Sequence, residues 1–226
     1  MSYYIGLSVL SNTQKCGNKS SNPEAKRILS SLENRVIKDT DITREPGGRP
    51  YFPDKKSDFN ISHSGKITAV AHVQGYGLRV GCDIERVRER KNAEKIAQEY
   101  YSKSEYDYLF SSGSFCIIKF FEIWTLKECY IKLRGLSVLD MASIPSFIES
   151  PEQTLSFKSD VSLPLFFRLY ELTCDDNERY ILASVIEGET QLLPEIRLFS
   201  SSALACKIRA EIKAAPNPAQ TVSPNI

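Results

Sequence analysis

The chain has 226 residues, 42% of them hydrophobic and 25% charged, with a formal net charge of +1. That composition is ordinary for a globular protein, and the length suits one large domain or two small ones. The near-neutral balance supplies no basic field for nucleic acid, and the apolar runs fall far short of a membrane span, so any anion site must come from local clusters.

Residues 3–10, YYIGLSVL, predict a strand, and without a basic n-region or cleavage site this stretch does not read as a signal peptide. A polar loop is expected over 11–22. A helix then starts at Pro23: Asn22 can cap it, proline suits the first helical position, and Glu24 favours the positive end. Its apolar stripe is Ile28, Leu29, Leu32 and Val36.

Three prolines and three glycines between residues 45 and 65 exclude a continuous element there, although FNISHS alternates like a strand. Two apolar runs, 67–74 and 78–85, are joined by Gly75-Tyr76-Gly77 and predict a hairpin. The second run ends in Asp83-Ile84-Glu85, whose carboxylates share one face of a strand. Two such charges repel, so something cationic belongs between them.

Residues 88–112 predict helix with a break near Ser102, after which Ser104 can cap a short second helix. Tyr100, Tyr101, Tyr106, Tyr108 and Phe110 read as core, or as a docking surface if exposed. A long helix over 115–134 should stop at Gly135. On it Trp124, Glu128 and Lys132 form one stripe, with Lys127 offset by about a quarter turn. Strand-like runs follow at 144–149, 164–172 and 179–187, and the apolar pattern is lost after Ile212.

The six cysteines form no CxxC pair and match no zinc spacing, so they read as reduced, buried thiols of a cytoplasmic protein. Nothing local supports a cysteine nucleophile paired with His63 or His72. The order of elements predicts an α+β fold in two similar halves, 1–86 and 87–200, with an unstructured tail at 201–226.

Four segments line up in order: GRP at 48–50, FNISHSG at 59–65, VGCDIE at 80–85 and WTLKECYIK at 124–132. Together they resemble the Sfp-type 4′-phosphopantetheinyl transferases, whose members carry a G(K/R)P step, an NxSHS run, a (V/I)GxDxE strand end and a W(S/T)xKE(S/A/C)xxK helix. The resemblance covers residues 45–150 well. The part before it is shorter than in the family's longer members, and Lys15, Lys19, Lys26 and Arg27 are candidate substitutes for their phosphate-binding cations.

The resemblance implies two α+β halves forming a pseudodimer, each with a helix packed on a mainly antiparallel sheet, and a site in the cleft between them. It implies transfer of the phosphopantetheine arm of coenzyme A to a serine of an apo acyl or peptidyl carrier protein, with release of 3′,5′-ADP. Asp83, Glu85 and Glu128 would hold Mg²⁺, an ion that prefers oxygen ligands. Glu128, or a metal-bound water beside it, is the candidate base, and Lys132 would neutralise the departing phosphate. Lys127 would bind the pyrophosphate or orient the base. Arg49, Ser62 and His63 would contact the nucleotide, while Trp124 packs and His72 has no role. Arg86, Arg88, Arg90 and Lys91 could attract an acidic carrier. The expected state is a cytoplasmic monomer bound to neither membrane nor nucleic acid. A non-catalytic carrier-binding relative and a metal-dependent phosphohydrolase are the alternatives.

Overall fold

The computed structural model describes residues 1–9, 23–148, 155–157, 164–188, 192–199 and 204–214. In chain order these form β1 (Ser2–Val9), α1 (Pro23–Leu32), the short strands β2 (Thr43–Arg44) and β3 (Pro50–Tyr51), and then β4 (Ser57–Ser64), β5 (Ile67–Gln74) and β6 (Arg79–Arg86). Three helices follow: α2 (Ala93–Tyr100), α3 (Lys103–Leu109) and α4 (Ile117–Arg134). The chain then returns in β7 (Leu165–Cys174), β8 (Arg179–Glu187), β9 (Glu195–Leu198) and β10 (Leu204–Ala214).

The strands build two four-stranded sheets, ordered β4-β5-β1-β9 and β10-β7-β8-β6. Among the described residues only the β1–β9 pairing is parallel. Strand periodicity decides what each face meets. Along β8, Tyr180, Leu182 and Ile186 join Tyr3, Ile5 and Leu7 of β1 in a core between the sheets. Ile181, Ala183 and Val185 of the same strand pack against α4 instead. On the far side Ile28, Leu29 and Leu32 of α1 cover Phe59 and Val70. The fold is therefore α+β in four layers, with one helix layer on the outer face of each sheet.

Several expectations are corrected. The apolar runs around Gly75-Tyr76-Gly77 do not pair with each other: β5 pairs with β4 and β1, whereas β6 pairs with β8 in the other sheet. Alternation sets which face of β6 is buried but says nothing about its neighbour. The hairpin is β4–β5, closed by Gly65-Lys66 with Gly65 at φ +54°. Strands cross residue 86 in both directions, since β6 bonds to β8 and β9 bonds to β1.

Residues 204–214, expected in an unstructured tail, pair along β7, because Leu204, Cys206 and Ile208 keep a strand alternation. Residues 144–148 form no strand beyond an Ile148–Leu155 bridge that follows a 3-10 turn at Val138–Ser143, and residue 149 lies outside the described residues. Ser102, not Ser104, caps α3, accepting the Glu105 N–H while Glu105 takes the Ser102 N–H in a capping box. Asn34 at φ +52° ends the α1 region, so Val36 is 77% exposed and Ile37 fills the core in its place. Asn22, the loop at 11–22 and Cys16 lie outside the described residues. Among the described cysteines Cys82, Cys129 and Cys174 are buried, but Cys206 is exposed. Among the described residues no helix is long and apolar enough to cross a membrane.

Candidate active site

β4 and β6 are the facing edges of the two sheets, and side chains join them. Asp58, Asn60, Ser62 and Ser64 of β4 accept the backbone N–H groups of Val80, Cys82, Ile84 and Arg86 at 2.8, 3.2, 3.3 and 3.0 Å. The constant offset sets the strands parallel and satisfies donors that an open edge would leave bare.

That register sets Ser62 against Asp83 and Ser64 against Glu85. The Ser62 hydroxyl donates to Asp83 Oδ1 at 2.8 Å, and the Ser64 hydroxyl donates to Glu85 Oε2 at 3.0 Å. α4 brings the cation, because Lys132 Nζ donates to Asp83 Oδ1 at 2.6 Å and to Ser62 Oγ at 2.8 Å. Close approach of α4 depends on Gly81, where a Cβ would come within 2.6 Å of the Cys129 carbonyl oxygen. The αL conformation of Gly135 (φ +68°), whose N–H returns to the Ile131 carbonyl, then ends the helix.

A cavity of about 630 Å³ gathers Ser62, His63, Asp83, Glu85, Glu128 and Lys132. Lys26, Asp39, Arg44 and the apolar Ile42, Pro50, Phe59 and Ile61 complete most of its wall. Burial, then the neighbouring Asp83 charge, raises the Glu85 carboxyl above its ordinary range, against the Ser64 hydrogen bond. For Lys132 burial pulls the ammonium down, but Asp83, together with Cys82 and Glu128, outweighs it and the net shift is upward. Asp83 Oδ2 is buried and has no hydrogen-bond partner.

Two residues expected in the site lie elsewhere. Lys127 is 1% exposed and pairs with the fully buried Glu105 at 3.1 Å, since its offset on α4 turns it into the helix layer and away from the cavity. Arg49 is likewise buried, with both terminal nitrogens on the Asp58 carboxylate and Nη2 also on the Val80 carbonyl at 3.0 Å. A guanidinium so engaged anchors the loop to both strands. Arg44, which sequence reasoning missed, lines the cavity; it sits opposite Pro50 in the β2–β3 pair and donates to the Gly48 carbonyl at 2.8 Å. Its only signal was its place five residues before Arg49.

Trp124 packs on Phe120 with ring centroids 6.0 Å apart, and the Arg90 guanidinium lies 5.3 Å from its ring. Arg86 pairs with Glu178 at 2.9 Å, so two members of the expected basic surface have intramolecular partners.

The model of the 4′-phosphopantetheinyl transferase superfamily matches residues 79–185, the stretch running from β6 through α4 into β8. Over this region the chain is similar to that superfamily.

Similar proteins include the 4′-phosphopantetheinyl transferase gsp of Aneurinibacillus migulanus, 32% identical over 134 residues, 56% of this chain and 54% of that one. The transferase AcpT of Salmonella typhi is 32% identical over 125 residues, 55% of this chain and 61% of its own. The transferase Sfp of Bacillus subtilis is 30% identical over 128 residues, 55% of each chain. The chain spans about half the length of the curated relatives it matches. The superfamily stretch supplies Asp83, Glu85, Glu128 and Lys132, while Ser62 and His63 come from β4, before it.

Proposed function

We propose that this chain transfers the 4′-phosphopantetheine arm of coenzyme A to a serine hydroxyl of an apo acyl or peptidyl carrier protein. The observation that carries the reading is one cavity in which Asp83, Glu85, Glu128 and Lys132 meet Ser62 and His63, with Lys26 and Arg44 on its wall. Coenzyme A brings a pyrophosphate and a 3′-phosphate. The serine oxygen attacks the phosphorus bearing the pantetheine, the bond to the bridging oxygen breaks, and 3′,5′-ADP leaves.

The carboxylates suit a hard divalent cation. Asp83 Oδ2 is buried without a partner, Glu85 is held above its ordinary range by burial, and the donor set is all oxygen, which fits Mg²⁺. Among the described residues no three side chains of His, Cys, Asp or Glu form a ready metal cage, so the ion would need phosphate and water oxygens beside these carboxylates. Held by Asp83, Glu85 and Glu128, the ion would neutralise charge developing on the pyrophosphate.

The remaining work belongs to the chain. Lys132, kept charged by Asp83, faces the leaving phosphate. Glu128, one helical turn earlier, accepts the serine proton. His63 donates to a nucleotide phosphate, and the Ser62 hydroxyl holds Asp83 and Lys132 in register. Lys26, paired with Asp39 at 2.5 Å, and Arg44 offer cations to the nucleotide end. Both sheets flanking the cavity come from one chain, which supports a monomer, and the free thiols suit a reducing cytoplasm.

Intact-mass spectrometry of a panel of apo carrier proteins, incubated with this chain, coenzyme A and Mg²⁺, tests the proposal. A gain of one phosphopantetheine arm, abolished by EDTA and in Glu128→Ala, is expected. No gain on any carrier, together with no coenzyme A binding, would overturn it in favour of a non-catalytic carrier-binding role. Release of 3′,5′-ADP without a carrier would point to a phosphohydrolase.

A further inference from the structure

Lys127 precedes Glu128 in the chain, yet it is sealed in the protein with Glu105, at 1% and 0% side-chain exposure. Removing two ions from water generally costs as much as their attraction returns, and well-packed apolar or neutral replacements fold as well or better. Stability alone is a poor reason for such a pair.

The surroundings give a better one. Glu105 Oε1 accepts the Phe147 N–H at 2.8 Å, and Oε2 accepts the Ser102 N–H at 2.8 Å as well as the Lys127 ammonium. Two backbone groups from separate segments thus fix the carboxylate, and Lys127 ties α4 to that fixed point. The opposite side of α4 rests on β6 at Gly81, against the Cys129 carbonyl and Leu133. The glycine permits close approach there, and the apolar contacts of Ile181, Ala183 and Val185 on the same helix are non-directional, so the Glu105–Lys127 pair adds a directional tie on the other side.

We infer that the Glu105–Lys127 pair is a positioning device that sets the rotation of α4 about its axis, so that Glu128 and Lys132 face Asp83. The inference rests on the transfer reaction proposed above. At the ~5–6 Å outer radius of a helix, a 20° rotation would move a side-chain tip by about 2 Å. A misplacement of about 1 Å in a reacting constellation can cost on the order of 100-fold in rate.

The test compares Glu105→Gln, Lys127→Met and the double variant for thermal stability, carrier modification, and coenzyme A binding with and without Mg²⁺. Each single variant leaves a buried charge or polar group unpaired and loses stability. The double variant removes the unpaired charge and regains part of that stability, since the glutamine oxygen can accept only one of the two backbone N–H groups, while its kcat stays at least tenfold below the parent with KM for coenzyme A within twofold. Its binding of coenzyme A in EDTA matches the parent, but the enhancement by Mg²⁺ shrinks. A double variant that recovers turnover and Mg²⁺ enhancement along with stability would overturn the positioning role and leave the transfer reading intact. A parent chain that neither binds coenzyme A nor modifies any carrier would overturn the transfer reading, and with it the site this pair serves.

Discussion

Arg44 and Arg49 lie five residues apart and answer to different constraints. Arg49 is buried, bound to Asp58 and to the Val80 carbonyl, whereas Arg44 is exposed on the cavity wall. Arg49→Ala strands Asp58 in the interior and should cost about 3–5 kcal/mol, the usual penalty for breaking a buried pair. Urea titration checks the loss, and the folded fraction should still bind coenzyme A at close to parental affinity. Arg44→Ala should leave the urea midpoint unchanged and weaken coenzyme A about tenfold, the value of one lost charge-assisted contact, as read by calorimetry. If the two phenotypes are exchanged, the nucleotide contact belongs to Arg49 after all. The motif marked Arg49 in the sequence, but residue type could not reveal that Asp58 would occupy it. Periodicity put Asp83 with Glu85, and Glu128 with Lys132, on shared faces, but only the resemblance to the transferases singled them out; the cavity gathers all four. The place of Lys127 was not legible, because its partner Glu105 lies 22 residues away in a different helix.

Among the elements, the end of α1 and the contact of α4 with β6 carry the clearest consequences. Glu33, just past α1, accepts from the Ser57 hydroxyl of β4 and meets His72 Nε2 of β5, each at 2.5 Å. The His72 hydrogen bond, then that of Ser57, brings its carboxyl down to about 2 from an ordinary value of 4.5, against the opposing effect of burial. A carboxyl depressed in the folded state contributes stability that is complete above the ordinary value and lost as pH falls toward the folded one. The chain should therefore lose up to about 3 kcal/mol between roughly pH 4.5 and pH 2, and Glu33→Gln should flatten that segment of the stability profile. A profile unchanged by the substitution would show that other carboxylates govern the acid limit. The sequence marked His72 as a strand residue but gave no sign of Glu33, which reaches it only through tertiary packing. Gly81→Ala tests the other element, since its Cβ would fall 2.6 Å from the Cys129 carbonyl and 3.0 Å from Leu133 Cβ. Forcing α4 outward should cost about 1–3 kcal/mol as overpacking and reduce carrier modification by far more than the loss of folded protein explains. Equal losses in activity and folded fraction would reduce Gly81 to a packing residue.

At the scale of the whole molecule, the two halves share one interior. Tyr3, Ile5 and Leu7 of the first sheet pack in a single core with Phe166, Tyr170 and Tyr180 of the second, and β6 and β9 each cross to the sheet opposite their place in the chain. The fold class was legible because the order of helices and strands repeats along the sequence. The exchange of strands was not, because a period of two identifies a buried face without naming the strand beside it. The exchange has a thermodynamic consequence. Residues 1–86 taken alone would keep β6 without β8, β1 without β9, and the inner face of the first sheet without its cover. Losing half of a shared core removes burial that the ordering entropy of so short a chain requires. That fragment should therefore lack protected amides by hydrogen exchange, although it contains a complete β4–β5–β1 sheet and α1. The intact chain should unfold in one calorimetric transition whose measured and van't Hoff enthalpies agree, because neither half can persist once the other melts. Two resolved transitions, or a fragment with native-like protection in β1 and β5, would mean that the inter-sheet core contributes far less than its burial implies.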